Sequence, residues 1–129
     1  MYLGSIPSGR TDMKTYSGIV QRGLGRGEAL SFRTANIPLE DATLSGVHIA
    51  RATIGHDTYP AAVFIDTKRK LLEAHLLDFF GDLYGKEISV QLLRRIRDEK
   101  RFESDADLRS AIESDIRAVR NYFAKKENI

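Results

Sequence analysis

Cysteine is absent from this chain of 129 residues. Its absence excludes disulfide bonds, thiolate metal sites and cysteine nucleophiles. Any metal must therefore be held by oxygen atoms or by histidine. No apolar stretch approaches the roughly 20 residues that a membrane-spanning helix needs, and residues 1–10 lack the basic and then apolar order of a secretion signal. These features predict a cytoplasmic protein without membrane contact.

The chain also carries little net charge. Its 20 basic and 18 acidic residues leave a formal charge of +2, which is too small to impose an anionic partner. Basic residues do cluster between Arg94 and Arg101, and the isoelectric point is about 9.0. However, no strand-like segment interleaves aromatic and basic residues as a surface for stacking nucleic-acid bases does. We therefore rank nucleic-acid binding last among the functions considered. Separately, we predict that the protein is a monomer.

The length predicts a single domain. Glycine, serine and proline are concentrated in residues 4–12, which indicates a flexible or turn-rich N-terminal arm over residues 1–15 and a domain over residues 16–129. Five segments have the two-residue alternation or the β-branched enrichment of strands. They are residues 16–21, 47–54, 59–65, 71–80 and 87–93.

The C-terminus has helical periodicity instead. Ser104 and Asp107 resemble a capping box, and apolar residues recur at helical spacing from Leu108 to Phe123. Five or six short strands need closure to protect their edges. The fold class is therefore predicted to be mainly β, a small barrel with a C-terminal amphipathic helix packed on it.

The first candidate functional segment is rich in glycine. Gly23, Gly25 and Gly27 would let backbone N–H groups approach a phosphate closely, with Arg26 beside them. A plain hairpin turn explains the same spacing and is the more frequent case. Neither a Walker loop nor a dinucleotide fingerprint is present.

Two further segments carry candidate chemical groups. Thr34 and Asn36 place a hydroxyl and an amide on the same face of an extended segment, where they could bind Mg²⁺ or merely cap a turn. Glu73 lies on one face of an apolar strand together with His75. Its carboxylate could act as a general base in phosphoryl transfer, form a structural ion pair or face water. From the residues alone, an ion pair or a solvent-facing carboxylate is favoured over a general base for Glu73. A structural role is likewise favoured over a catalytic one for His75.

Taken together and in this order, four motifs resemble the riboflavin kinase family, which also forms the C-terminal half of bacterial bifunctional FAD synthetases. The motifs are the glycine-rich loop with Ser31-Phe32-Arg33-Thr34-Ala35-Asn36, Gly46-Val47, Glu73-Ala74-His75 with Asp78-Phe79 and Leu83-Tyr84-Gly85, and Ile96-Arg97-Asp98-Glu99 with Phe102, Ser104 and Asp115. The resemblance extends from about Tyr16 to Phe123. It implies a stand-alone riboflavin kinase domain with a six-stranded Greek-key barrel.

The resemblance also implies roles for individual residues. Thr34 and Asn36 would hold Mg²⁺ with the phosphates of ATP, and Glu73 would take the proton from the ribityl terminal hydroxyl of riboflavin. Tyr84 would contribute to binding, and Arg97 would help to close the flavin side.

The glycine-rich loop would cover the phosphates with Gly23, Gly25, Arg26 and Gly27. The product would be FMN.

Three departures from the family pattern support an alternative, a catalytically lapsed relative that binds a flavin or a nucleotide as a regulatory module. Arg33 stands where the family has proline, which removes a fixed φ angle before Thr34. Glu28 stands near a position that is usually basic. The segment Phe64-Ile65-Asp66-Thr67-Lys68-Arg69-Lys70 replaces the family's flap on the flavin side.

Overall fold

The computed structural model describes residues 14–22 and 32–127. The segment with Gly23, Gly25, Arg26, Gly27 and Glu28 lies outside the described residues, as does most of the predicted N-terminal arm, so those predictions stay predictions. The strands are β1 (Thr15–Ile19), β2 (Ala35–Pro38), β3 (Val47–Ile54), β4 (Asp57–Asp66), β5 (Leu71–Leu76) and β6 (Glu87–Arg97). One helix, α1, runs over Asp105–Glu127.

The six strands form one antiparallel sheet in the order β1-β6-β3-β4-β5-β2. Three hairpin-connected strands, β3, β4 and β5, are followed by β6, which returns to pair with β3, and this arrangement is a Greek key. The outer strands meet where the Gln21 N–H donates to the Asn36 carbonyl at 2.7 Å. The predicted mainly-β barrel with a C-terminal helix is therefore confirmed.

Alternation along the strands divides the apolar side chains between two cores. One core fills the barrel and contains Ile37, Val63, Leu72, Ile88 and Val90, all almost completely buried. The other lies between the outside of the sheet and α1. Its buried members are Ile49, Ala62, Leu77 and Val119. The helix therefore covers one outer face of the barrel. Its N-terminus is capped by Ser104, whose Oγ accepts a hydrogen bond from the Asp107 N–H at 3.1 Å.

Several strand bounds differ from the sequence prediction. Strand β6 continues to Arg97 instead of ending at residue 93, and β2 was not among the five predicted strands. Strand β5 ends at Leu76 instead of continuing to Phe80, because Asp78 adopts a left-handed backbone conformation with φ of 63°. Strands β4 and β5 are joined by a turn of only four residues, 67–70, in place of a long flap. The segment that was predicted to replace the family's flap thus forms a tight hairpin turn between β4 and β5.

The turn before β3 is held by its own hydrogen bonds. The Ser45 carbonyl accepts from His48 Nε2 at 2.9 Å and from Arg95 Nε at 3.2 Å. Burial lowers the pKa of His48 below its usual range. Gly46 in this turn has φ of 84°, and a Cβ at this position would lie 2.5 Å from the Arg97 carbonyl oxygen. Only glycine fits this turn without strain.

Replacing Gly46 with alanine is expected to lower the free energy of unfolding by about 2 kcal/mol or more, because a left-handed φ and a backbone clash coincide. Gly55→Ala is the matched control, since Gly55 has φ of 60° but no atom within 4 Å of a built Cβ. It should cost about 1 kcal/mol, from the φ angle alone. Chemical denaturation of both variants measures the difference, and equal losses would contradict the steric part of the argument.

Candidate active site

Two cavities lie on either side of the residues that precede β2. The first, which we call the helix cavity, has a volume of about 180 Å³ and lies between the sheet, the segment after β6 and the first turns of α1. The second, which we call the mouth cavity, has a volume of about 710 Å³ and lies between the ends of β1, β2 and β5 and the loop before β6. The mouth cavity is within the usual range of small-molecule sites, about 300–1,000 Å³, whereas the helix cavity is smaller than this range.

The helix cavity brings together three of the residues predicted from the sequence. Its walls include Thr34, Glu73 and Arg97, together with the aromatic rings of Phe64 and Phe102. Glu73 is half-buried. The residues that alternate with it and His75 along β5, namely Leu72, Ala74 and Leu76, are buried. A carboxylate, a hydroxyl and a guanidinium thus face one aromatic slot, although these three residues are far apart in the sequence.

Asn36 lies directly opposite Glu73 in the pairing of β2 with β5, so both side chains are on the same face of the sheet. It is only 2% exposed, and it is not among the residues that line either cavity. Its Oδ1 atom has no hydrogen-bond partner among the described residues. A buried amide oxygen left in this state costs roughly 1–3 kcal/mol, so the site favours a ligand that accepts this lone pair.

The Asn36 amide oxygen and the Thr34 hydroxyl oxygen are of the type that binds a magnesium ion. Mg²⁺ prefers oxygen ligands, takes one or two of them from a protein and completes its coordination with water and substrate phosphates. Among the described residues no group of three or more His, Asp or Glu side chains is arranged to hold a metal alone. The unsatisfied Asn36 oxygen and the Thr34 hydroxyl are therefore the two protein oxygens that would hold such an ion here.

Arg97 is held in the wall of the helix cavity by Asp115 of α1. Its Nε and Nη2 donate to the two carboxylate oxygens of Asp115 at 2.9 and 2.8 Å, and Nη1 donates to the Asp98 carbonyl at 3.2 Å. The Asp115 side chain is 3% exposed and that of Arg97 27%. The guanidinium also lies over the ring of Phe102, 5.8 Å from its centroid. The resemblance placed Asp115 in a motif, but nothing in the sequence predicted that Asp115 pairs with Arg97.

The mouth cavity contains the remaining described candidate, Tyr84. Tyr84 is 54% exposed, and the Arg22 guanidinium lies over its ring at 4.7 Å from the centroid. Arg22 and Arg33, which flank the glycine-rich segment in the sequence, both line this cavity. Tyr84 is therefore not beside Glu73, and Thr34 is the candidate residue that lines both cavities.

The loop between β5 and β6 is fixed to α1 by a second bidentate pair. Arg120 donates to both carboxylate oxygens of Asp78, at 3.0 and 3.1 Å. These hydrogen bonds lower the pKa of Asp78 and raise the pKa of Arg120 relative to their usual values. The pair joins α1 to Asp78, the left-handed residue just after β5, and the loop that follows forms one wall of the mouth cavity.

A family model described as Flavokinase: Riboflavin kinase matches residues 12–123. The chain belongs to the riboflavin kinase family. No helix among the described residues is long and apolar enough to cross a membrane.

Relatives of this riboflavin kinase family member include larger proteins. The chain is 36% identical over 116 residues to the bifunctional riboflavin kinase/FMN adenylyltransferase of Escherichia coli K12, covering 83% of this chain and 37% of that protein. It is 34% identical over 119 residues to the RNA-binding riboflavin kinase RibR of Bacillus subtilis, covering 86% of this chain and 52% of the relative. The chain thus spans about a third to a half of the length of these two curated relatives.

Solved structures show the same fold. The crystal structure of riboflavin kinase from Trypanosoma brucei superposes with a TM-score of 0.62 at 26% identity, covering 88% of this chain and 81% of that one. A Streptococcus pneumoniae structure described as a macrolide-efflux protein superposes with a TM-score of 0.71 at 27% identity, covering 85% and 37% of the two chains. The barrel with its helix is therefore the architecture of the family.

Proposed function

We propose that this chain transfers the γ-phosphate of ATP to the terminal ribityl hydroxyl of riboflavin, which gives FMN and ADP. The observation that carries the proposal is that Thr34, just before β2, and Glu73, on β5, line the same aromatic cavity. Membership of the riboflavin kinase family supports it. The relatives in Escherichia coli and Bacillus subtilis are both described as riboflavin kinases.

The two cavities divide the substrates between them. We assign the flavin ring to the helix cavity, because Phe64 and Phe102 add aromatic surface to its walls and Arg97 offers N–H groups to ring carbonyls. We assign the nucleotide to the mouth cavity, which is larger and has Arg22, Arg33 and the ring of Tyr84 on its walls. The glycine-rich segment between Arg22 and Arg33 would cover the phosphates.

Each predicted residue then has one task. Glu73 accepts the proton of the ribityl hydroxyl as its oxygen attacks the γ-phosphorus and the bond to the β,γ-bridging oxygen of ATP breaks. Thr34 and Asn36 would hold Mg²⁺, which neutralises phosphate charge when it is bound. Phosphoryl transfer needs little covalent chemistry from a protein, so positioning and electrostatic stabilisation suffice.

The catalytically lapsed alternative receives no comparable support. Glu28 lies outside the described residues. Arg33 is not a loose replacement for proline, because its carbonyl accepts from His75 Nδ1 at 2.7 Å and its Nη1 contacts the Gly81 carbonyl at 3.4 Å. The segment that leads to Thr34 is thus held in place by hydrogen bonds.

Binding of RNA is named for the Bacillus subtilis relative, and the described residues of this chain favour it weakly. Two members of the basic cluster, Arg95 and Arg97, already form ion pairs with Asp98 and Asp115. The monomeric state and the cytoplasmic location stay predictions from the sequence.

Incubation of the purified protein with riboflavin and Mg-ATP tests the proposed activity. We expect FMN to accumulate, as measured by chromatography with fluorescence detection, and to require both ATP and a divalent metal. Folded protein that yields no FMN above an enzyme-free control would overturn the proposal.

A further inference from the structure

The wall between the two cavities is a short segment without regular secondary structure. Residues 32–34, which we call the partition segment, precede β2. Phe32 lines the helix cavity, Arg33 lines the mouth cavity and Thr34 lines both. The position of the Thr34 hydroxyl relative to both substrates therefore depends on how firmly this segment is held.

Regular strand pairing does not extend to the partition segment. Pairing of β2 with β5 begins at Ala35, so residues 32–34 lie beyond the ladder. Arg33 has no ring to fix its φ angle, in contrast to proline. The contact of its guanidinium with the Gly81 carbonyl is 3.4 Å long and exposed, which makes it a weak restraint.

His75 supplies the closest restraint on this segment. Its Nδ1 lies 2.7 Å from the Arg33 carbonyl oxygen, at the short end of the range for such bonds. A carbonyl only accepts, so Nδ1 must carry the proton. The same ring meets the ring of Phe32 edge to face, with centroids 5.8 Å apart and an interplanar angle of 86°. One side chain of β5 thus contacts two consecutive residues of the partition segment.

His75 also stands two residues after Glu73 on the same face of β5. The strand that carries the candidate base therefore also carries the group that contacts the residue before Thr34. Any displacement of the partition segment along β5 would change the distance between the Thr34 hydroxyl and the Glu73 carboxylate, because Thr34 belongs to the partition segment and Glu73 to β5.

We propose that His75 is a positioning residue that holds the partition segment through the Arg33 carbonyl, and thereby sets the Thr34 hydroxyl for the metal-bound nucleotide. The role rests on the proposed kinase function. His75 also lines the mouth cavity, and in this proposal it acts through the Arg33 carbonyl and not by contacting the nucleotide. In this chain its hydrogen bond does what a ring-constrained residue before Thr34 would do.

Two substitutions separate the hydrogen bond from packing. His75→Asn retains an N–H donor near the position of Nδ1, whereas His75→Leu has a similar size and no donor. Binding of Mg-ADP, measured by titration calorimetry, should weaken about tenfold in His75→Leu and stay within about twofold of the unsubstituted protein in His75→Asn. His56→Leu, in the exposed turn between β3 and β4, is the control and should bind normally.

Rescue by asparagine is the result that a purely structural role would not give. Normal Mg-ADP binding in His75→Leu, or equal weakening in both His75 variants, would overturn the proposal. The ring's protonation state gives a second readout that needs no variant. Nitrogen-15 NMR of the imidazole should show a proton on Nδ1, and a neutral ring protonated on Nε2 alone would also overturn it.

The two proposals fail in different ways. If the unsubstituted protein binds no Mg-ADP and forms no FMN, the proposed function fails and this role for His75 fails with it. If the unsubstituted protein does both and His75→Leu matches it, the kinase function stands and the positioning role alone is rejected.

Discussion

Glu73→Gln is expected to lower kcat for FMN formation about 1,000-fold, because an amide cannot accept the proton of the attacking hydroxyl. The side chain keeps its size and lines the helix cavity as before. Binding of riboflavin and of Mg-ADP should therefore change little. Single-turnover measurements with bound riboflavin and Mg-ATP test this directly, since they report the chemical step and not product release.

A control for this variant is available elsewhere on the sheet. Glu87 begins β6 and is exposed, so Glu87→Gln removes the same charge from a strand carboxylate outside both cavities. Its turnover should equal that of the unsubstituted protein. If Glu73→Gln retains more than about a tenth of the activity, the carboxylate is not the principal base and serves to position the substrate instead.

The strand that carries Glu73 was predictable because the evidence for it is local. Leu72, Ala74 and Leu76 alternate with Glu73 and His75, and a period of two places these sets on opposite faces whatever the rest of the chain does. The sequence predicted β3 with the same bounds that the structure has, Val47–Ile54. Strand β2 was predicted only as an extended segment, because its four residues are too few to establish a period.

The convergence of Thr34 with Glu73 was predictable only through the resemblance to the riboflavin kinase family. Neither spacing nor composition indicates that the two residues meet in space. The burial of Asn36 with an unsatisfied oxygen, and the bond from His75 to the Arg33 carbonyl, depend on packing between distant segments. From the residues alone, His75 was interpreted as structural, and the contact that it makes could not be inferred from its strand.

The helix is part of the site as well as a cover for the barrel. Asp115 holds Arg97 in the wall of the helix cavity, and Arg120 holds Asp78 at the start of the loop that bounds the mouth cavity. The sequence indicated an amphipathic helix from its apolar periodicity, but Asp115 and Arg120, the polar helix residues that bind Arg97 and Asp78, belong to no periodic pattern. They can be recognised only once the helix is placed against the sheet.

Arg97→Leu is expected to lower the free energy of unfolding by about 3–5 kcal/mol, because it leaves the carboxylate of Asp115 buried without its partner. The Asp115 side chain is 3% exposed and both of its oxygens accept from Arg97, so water has little access to replace the guanidinium. Denaturant titration measures the loss. Riboflavin binding should weaken in the same variant, because Arg97 lines the helix cavity.

The double variant Arg97→Leu with Asp115→Leu separates these two effects. Replacing a buried ion pair by apolar residues is often neutral for stability, so most of the lost free energy of unfolding should return. Riboflavin binding, followed by quenching of flavin fluorescence, should stay weak because the guanidinium is still missing. A double variant as unstable as Arg97→Leu would show that the unpaired carboxylate is not the cause of the loss. Recovery of riboflavin binding would instead show that Arg97 only stabilises the fold around the cavity.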